Sequence, residues 1–143
     1  MPILEALLER SGRAGDFLIV TSELSRTEVA FAESERTKRT LDAHIEAKID
    51  AMWADKRAIR TVEIHQLLTI EARQLMRQGL LRGWSLKPND ALHLATARWL
   101  QVAEFQTHDE KLFRFAPVVD YPIHAPEIVQ PKLFTEAEPT TPE

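Results

Sequence analysis

The sequence predicts a three-layer α/β/α domain built on a mainly parallel sheet. Three observations carry that expectation. Phe17-Leu18-Ile19-Val20 is an unbroken apolar run of strand length, of the kind that suits a parallel strand covered on both faces. Strand-like and helix-like segments alternate along the chain, as they do where crossover helices layer a parallel sheet. The 143 residues are 44% apolar and 28% charged, a globular composition in a chain long enough to bury a core as one domain.

In order, residues 2–10 read as the end of an amphipathic helix with Ile3, Leu4, Leu7 and Leu8 as its apolar stripe, and Gly12 is placed to stop it. After the strand at 17–20, residues 21–31 read as a turn running into a helix. Residues 37–53 carry Leu41, Ile45, Ile49 and Met52/Trp53 at helical spacing, with a charged solvent face between them. Together these two segments predict a helical hairpin beside the sheet. Residues 59–64 alternate as a strand. Residues 66–78 return to helical period through Leu67, Ala72, Leu75 and Met76, with Gly79 and Gly83 expected to close that helix. Lys87-Pro88-Asn89-Asp90 opens a helix of small and aliphatic residues reaching Leu100. A strand is expected at 103–106, a turn at Thr107-His108-Asp109, a short helix at 110–114, and an edge strand at 118–123 broken by Pro122. The domain is expected to occupy residues 1–125. Residues 126–143, rich in Pro, Glu and Thr, read as a loose tail.

Composition removes several classes of function. With no cysteine, disulfide frameworks, cysteine-ligated zinc and thiol catalysis are out. A net charge of −4 argues against a surface that grips nucleic acid everywhere, yet allows a basic rim around an acidic site. No apolar run approaches the roughly 18 residues of a membrane span, and no signal peptide is legible, so the expected location is the cytoplasm and no membrane partner is expected.

Ligands of parallel α/β sheets sit at the carboxyl ends of the strands. Glu28 lies past the strand at 17–20, Asp109 past the strand at 103–106, and Asp90 starts a helix that can point at the same edge. Three converging carboxylates would suit Mg²⁺ or Mn²⁺, and a water acidified by the metal is a natural nucleophile for a phosphodiester. Each acid also has a plain alternative. Ser25-x-x-Glu28 and Thr107-x-x-Glu110 fit capping boxes, and Asp90 complements a helix dipole. His93, one turn after Asp90, is either a partner of the site or a packed helix residue. His108-Asp109 resembles an adjacent His-Asp ligand pair, but in the wrong structural setting. Trp53, Trp84 and Trp99 read as core or interface. Arg26, Lys87, Arg98, Lys111 and Arg114 lie near the acids in sequence and could hold phosphates, against an alternative of scattered solvated charge.

These residues also carry a resemblance. Val20-Thr21-Ser22-Glu23-Leu24-Ser25-Arg26-Thr27-Glu28-Val29 resembles the second motif of PIN domains, in which a strand ends on Thr/Ser and the following helix bears an acidic ligand. Asn89-Asp90-Ala91-Leu92-His93-Leu94-Ala95-Thr96-Ala97 is similar to the third, Asp-Ala-x-x-x-Ala-x-Ala, and Phe105 to Leu112 is similar to the fourth, Thr-x-Asp before a short helix. The resemblance covers roughly residues 2–125, and in size the chain is most like the small single-domain VapC toxins. It implies a Mg²⁺- or Mn²⁺-dependent ribonuclease in which Glu28, Asp90 and Asp109 hold the metal and Thr107 supports them by hydrogen bonding. It further implies a cognate antitoxin seated beside the helical hairpin, roughly residues 27–53, and a homodimer.

One departure stands out. The family's first motif, a strand ending in Asp near the N-terminus, has no counterpart here. Residues 2–10 correspond to the helix after it, and Glu5 in that helix is a poor substitute. Without that strand two neighbouring strands would lose their shared partner. The sequence therefore leaves two expectations. Either the true start lies upstream and the protein is a toxin-type ribonuclease, or the chain is a truncated, inactive PIN-like module that binds a partner protein or RNA. The difficulty of stabilising a sheet without its middle strand favours the first.

Overall fold

A computed structural model describes residues 17–126. The helix expected at 2–10, its Gly12 stop, the expected departure at the first strand and the tail from residue 127 lie outside the described residues. Among the described residues the elements are β1 (Ile19–Ser22), α1 (Ser25–Glu28), α2 (Glu33–Lys38), α3 (Ala43–Ala54), β2 (Ile59–Val62), α4 (Gln66–Leu81), α5 (Pro88–Trp99), β3 (Phe105–Gln106), a 3₁₀ helix (Glu110–Phe115), α6 (Ala116–Val119) and β4 (Ile123–His124).

The α/β expectation holds: helices alternate with strands, and both strand pairings are parallel. β1 runs beside β2 with Ile19 opposite Ile59 and Ser22 opposite Val62. β3 runs beside β4 with Phe105 opposite Ile123 and Gln106 opposite His124. Each pair needs a crossover, since parallel neighbours cannot be joined by a tight turn. The helical hairpin α2–α3 makes the first crossover, and the 3₁₀ helix with α6 makes the second.

The core forms where α4 lies along α5. Leu68, Ala72, Leu75 and Gly79 are the buried positions of α4, spaced at four, three and four residues so that they share one face. Ala91, Leu94, Ala95 and Ala97 face them from α5. Small side chains on both helices let the backbones approach, and Phe115, fully buried, fills the remaining space. Tyr121 adds a buried hydrogen bond, its hydroxyl donating to the Leu94 carbonyl at 2.7 Å. Burial pushes the phenol's pKa far up, which keeps that proton in place.

Several boundaries differ from expectation. β1 begins two residues later than the apolar run. The helix expected over 37–53 is two helices: Arg39 ends α2 in the left-handed region at φ 51°, and Asp42 caps α3, accepting from the His44 N–H at 2.9 Å. Glu35 explains the break. Its buried carboxylate accepts from the N–H groups of Ala32 at 3.1 Å and Asp42 at 2.9 Å, stapling the turn. Gly79 does not end α4 but lies inside it, where a Cβ would meet the Phe115 ring at 3.1 Å. Gly83, at φ 75°, makes the actual turn. Val118, expected in a strand, lies in α6, and only Ile123 and His124 pair as β4. Among the described residues no helix is long and apolar enough to cross a membrane.

Leu94 is fully buried at the α4–α5 contact, so Leu94→Ala should lower stability by about 2–5 kcal/mol. Urea unfolding checks this; a loss below roughly 1 kcal/mol would mean that the site collapses around the deletion and is not the close-packed seam described.

Candidate metal centre

Asp90 is placed by its helix. Pro88 occupies the first turn of α5 behind an extended Lys87, a position where its fixed φ suits the helix and its missing N–H is no loss. Asp90 follows in the same turn and is half-buried. Its pKa is raised, first by desolvation, then by the negative charges of Asp109 and Glu28, with His93 and Lys87 opposing the rise. Carboxylates from three distant segments therefore share one field.

Glu28 ends α1, a helix of only four residues. Its partner is His93: Nε2 of the imidazole contacts Oε1 of Glu28 across a sequence separation of 65. His93 sits one turn after Asp90 on α5, so a single helix face carries both. The capping box expected at Ser25-x-x-Glu28 is not formed. Leu24 is the N-cap residue, with no side-chain cap bond, and the Ser25 hydroxyl lies 2.6 Å from that of Thr21 instead.

Asp109 caps the 3₁₀ helix, its Oδ1 accepting from the Lys111 N–H at 3.0 Å. The Thr107 hydroxyl accepts from the Asp109 N–H at 3.1 Å, which fixes the turn. The helix start is thus Asp109 and not the Thr107 of the expected capping box. Asp109 is exposed, and its second oxygen has no hydrogen bond among the described residues.

The expected tight convergence is looser than anticipated. Among the described residues no three His, Cys, Asp or Glu side chains gather closely enough to hold a metal ion by themselves. The donor chemistry nevertheless fits a hard divalent cation. Asp90 and Asp109 are oxygen donors, Mg²⁺ is commonly held by one or two carboxylates with waters completing its shell, and a cation here would relieve the repulsion that raises Asp90.

The other sequence candidates separate clearly. Arg26 pairs with Glu23 at 2.6 Å and lies over Trp53. Glu23 also accepts from the Thr61 hydroxyl at 2.6 Å, and these hydrogen bonds, Thr61 first and Arg26 second, hold its pKa low. Arg98 pairs with Glu71 at 3.2 Å. His108 is exposed. Trp53 is buried in the core, while Trp99 is half exposed and meets His65 edge-on at 4.9 Å. The Glu28–His93 contact was only half legible: the spacing put His93 on the face of Asp90, but nothing local named Glu28 as its partner.

Among comparisons with known proteins, the PIN domain family model matches residues 3–117, a span that contains Glu28, Asp90, Thr107 and Asp109. No curated protein and no solved structure matches the chain.

The raised pKa of Asp90 yields a signed prediction. Its folded-state pKa lies above the ordinary 3.8, so the folded protein binds the proton more tightly than the unfolded chain. Ionising Asp90 therefore lowers stability as pH rises through that window, and the penalty persists at neutral pH. In EDTA at pH 7, Asp90→Asn should melt above the wild type, with the gap closing as pH falls towards 4. Adding Mn²⁺ should raise the wild-type melting temperature more than that of the variant. A variant that melts lower in EDTA at pH 7 would refute the repulsion.

Proposed function

We propose that this chain, which belongs to the PIN domain family, is a divalent-metal-dependent endoribonuclease and the toxin of a toxin–antitoxin pair. PIN domains are nucleases of RNA or DNA and typically depend on a divalent metal. The observation that carries the reading is Asp90: a desolvated carboxylate at a helix start, flanked by the charges of Asp109 and Glu28. RNA as the substrate, and the toxin role, rest on the order and spacing of the PIN-like motifs and on the resemblance to VapC toxins. The cytoplasm is the proposed location.

In this reading Asp90 and Asp109 would hold Mg²⁺ or Mn²⁺, with Glu28 as the third ligand. The cation, when bound, lowers the pKa of a water and neutralises charge on a scissile phosphodiester. His93 positions Glu28 beside Asp90. Thr107 fixes the backbone that aims Asp109. Lys87, exposed at the N-cap of the same helix, offers a cation to the phosphate. The antitoxin would lie along the α2–α3 hairpin, where Ser34, Lys38, Leu41 and Ile45 line a groove and Leu41 is 75% exposed. The exposed Leu67 and Ile70 of α4 suit a homodimer contact.

One observation favours a second reading, a PIN module that binds RNA or a partner protein without cutting it. Glu28 is already engaged by His93, and one oxygen of Asp109 by a backbone N–H.

The test is cleavage of a mixed RNA substrate with Mn²⁺, beside EDTA and Asp90→Asn controls. Cutting should stop in EDTA and fall on the order of 10²-fold or more in Asp90→Asn, while His93→Ala should lose roughly 10- to 100-fold as a residue that orients a ligand. A folded wild type that binds RNA and never cuts it would select the second reading.

A further inference from the structure

The stretch from Ala72 to Asn89 contains Arg73, Arg77, Arg82 and Lys87 and no acidic residue, in a chain with 22 acids and 18 bases. Two arginines described above have a carboxylate: Arg26 has Glu23 and Arg98 has Glu71. Arg82 and Arg114 form no ion pair among the described residues. They come from different elements, the end of α4 and the 3₁₀ helix, yet each guanidinium lies 5.3 Å from the centre of the same indole, that of Trp84. The two like charges are thus at most twice that distance apart.

Arg114 is held by packing and not by an acid. It also lies over Phe115, its Nη2 donates to the Ser85 carbonyl at 3.4 Å, and its Nε is buried without a hydrogen-bond partner. Arg82 is exposed at the C-cap of α4, where a cation suits the helix dipole. That placement accounts for Arg82 alone. It does not account for a second, unpaired guanidinium brought to the same ring by another element.

The position ties this pair to the candidate metal centre. Asp109 caps the 3₁₀ helix that bears Arg114 five residues later, a rise of about 10 Å at 2.0 Å per residue. Trp84 precedes Asp90 by six residues, so its backbone is no farther away than about 20 Å even fully extended. Arg114 thus lies on the 3₁₀ helix that Asp109 caps, and Arg82 stands at the start of the short connection that leads into the helix of Asp90.

We infer that Arg82 and Arg114, gathered on Trp84, hold the sugar–phosphate backbone of single-stranded RNA alongside the Asp90 site. The chemistry is that of a phosphodiester: guanidinium groups fit phosphate oxygens, and a polyanion compensates charge that this chain leaves unmatched. Because the protein is acidic overall, a local cationic track gives a negatively charged strand one favourable approach. The inference rests on the nuclease reading for its substrate, but its contacts need no metal.

The test is equilibrium binding of a labelled single-stranded RNA to the full chain in EDTA across a KCl series, so that neither cleavage nor metal enters. The variants are Arg82→Ala, Arg114→Gln and the double variant, with Arg36→Ala on α2 as a charge-matched control and circular dichroism to confirm folding. Arg82 is solvent-exposed, so its variant carries the test should Arg114→Gln fail to fold. Each lost phosphate contact should shrink the slope of log K against log salt by about 0.7 and weaken low-salt binding several-fold, with Arg36→Ala unchanged. Unchanged slopes in the Arg82 and Arg114 variants, an equal loss in Arg36→Ala, or a wild type that does not bind RNA would each overturn it. A wild type that binds through these arginines but never cuts RNA with Mn²⁺ would support the track while removing the nuclease reading.

Discussion

The close approach of α4 and α5 is the constraint on which the rest of the described structure depends. Ala91 and Ala95 on one helix and Ala72 on the other put little side-chain bulk between the axes, and Gly79 leaves room for Phe115 beside them. With that seam fixed, the start of α5 has one position, and Asp90 and His93 are carried to the place where Glu28 and Asp109 arrive from other segments. The strands contribute little length of their own: β3 and β4 are two residues each. Side-chain packing beneath them, through Phe115, Val119 and Ile123, does what a longer ladder would otherwise do.

The same arrangement sets a conflict at the surface. Desolvation and two like charges act against ionised Asp90, while His93 and Lys87 act for it. Binding a cation, or protonating the carboxyl, would relieve this opposition. His93 meanwhile gives Glu28 a fixed place although α1, at four residues, is too short to supply rigidity by itself. The candidate residues are thus held in three different ways: Glu28 by a tertiary contact, Asp90 by helix geometry, and Asp109 by a local turn with Thr107.

That division explains what could be read from the sequence. α4 is legible from its sustained helical period and α5 from its period and the Lys87-Pro88-Asn89-Asp90 start signal, and Asp90 is legible with it. Thr107 and Asp109 lie within three residues of each other, so their turn is visible in the sequence, although Asp109 and not Thr107 is the capping residue. The register of β1 was not legible: Phe17-Leu18-Ile19-Val20 is apolar throughout, and what sets its pairing is Ile59, forty residues away. The break at Arg39 was hidden because Glu35 does the breaking, through a side chain bonded to the backbone of Asp42. Gly79 reads as a terminator in the sequence because glycine usually acts so. Its actual role is defined by Phe115, which no window around position 79 contains. The Glu28–His93 contact has the same character at greater range.

Gly79 and Phe115 also bear on how this protein can change. A methyl group at 79 would sit 3.1 Å from the edge of the Phe115 ring and 3.3 Å from the Trp84 carbonyl, and Trp84 in turn meets Phe115 edge-on at 5.2 Å. Contacting residues of this kind combine non-additively. A larger residue at 79 needs the Phe115 ring to give way, and any shift of that ring is felt by Trp84 and the two arginines that rest against it. Positions 79, 84 and 115 are therefore inherited as a single unit of volume.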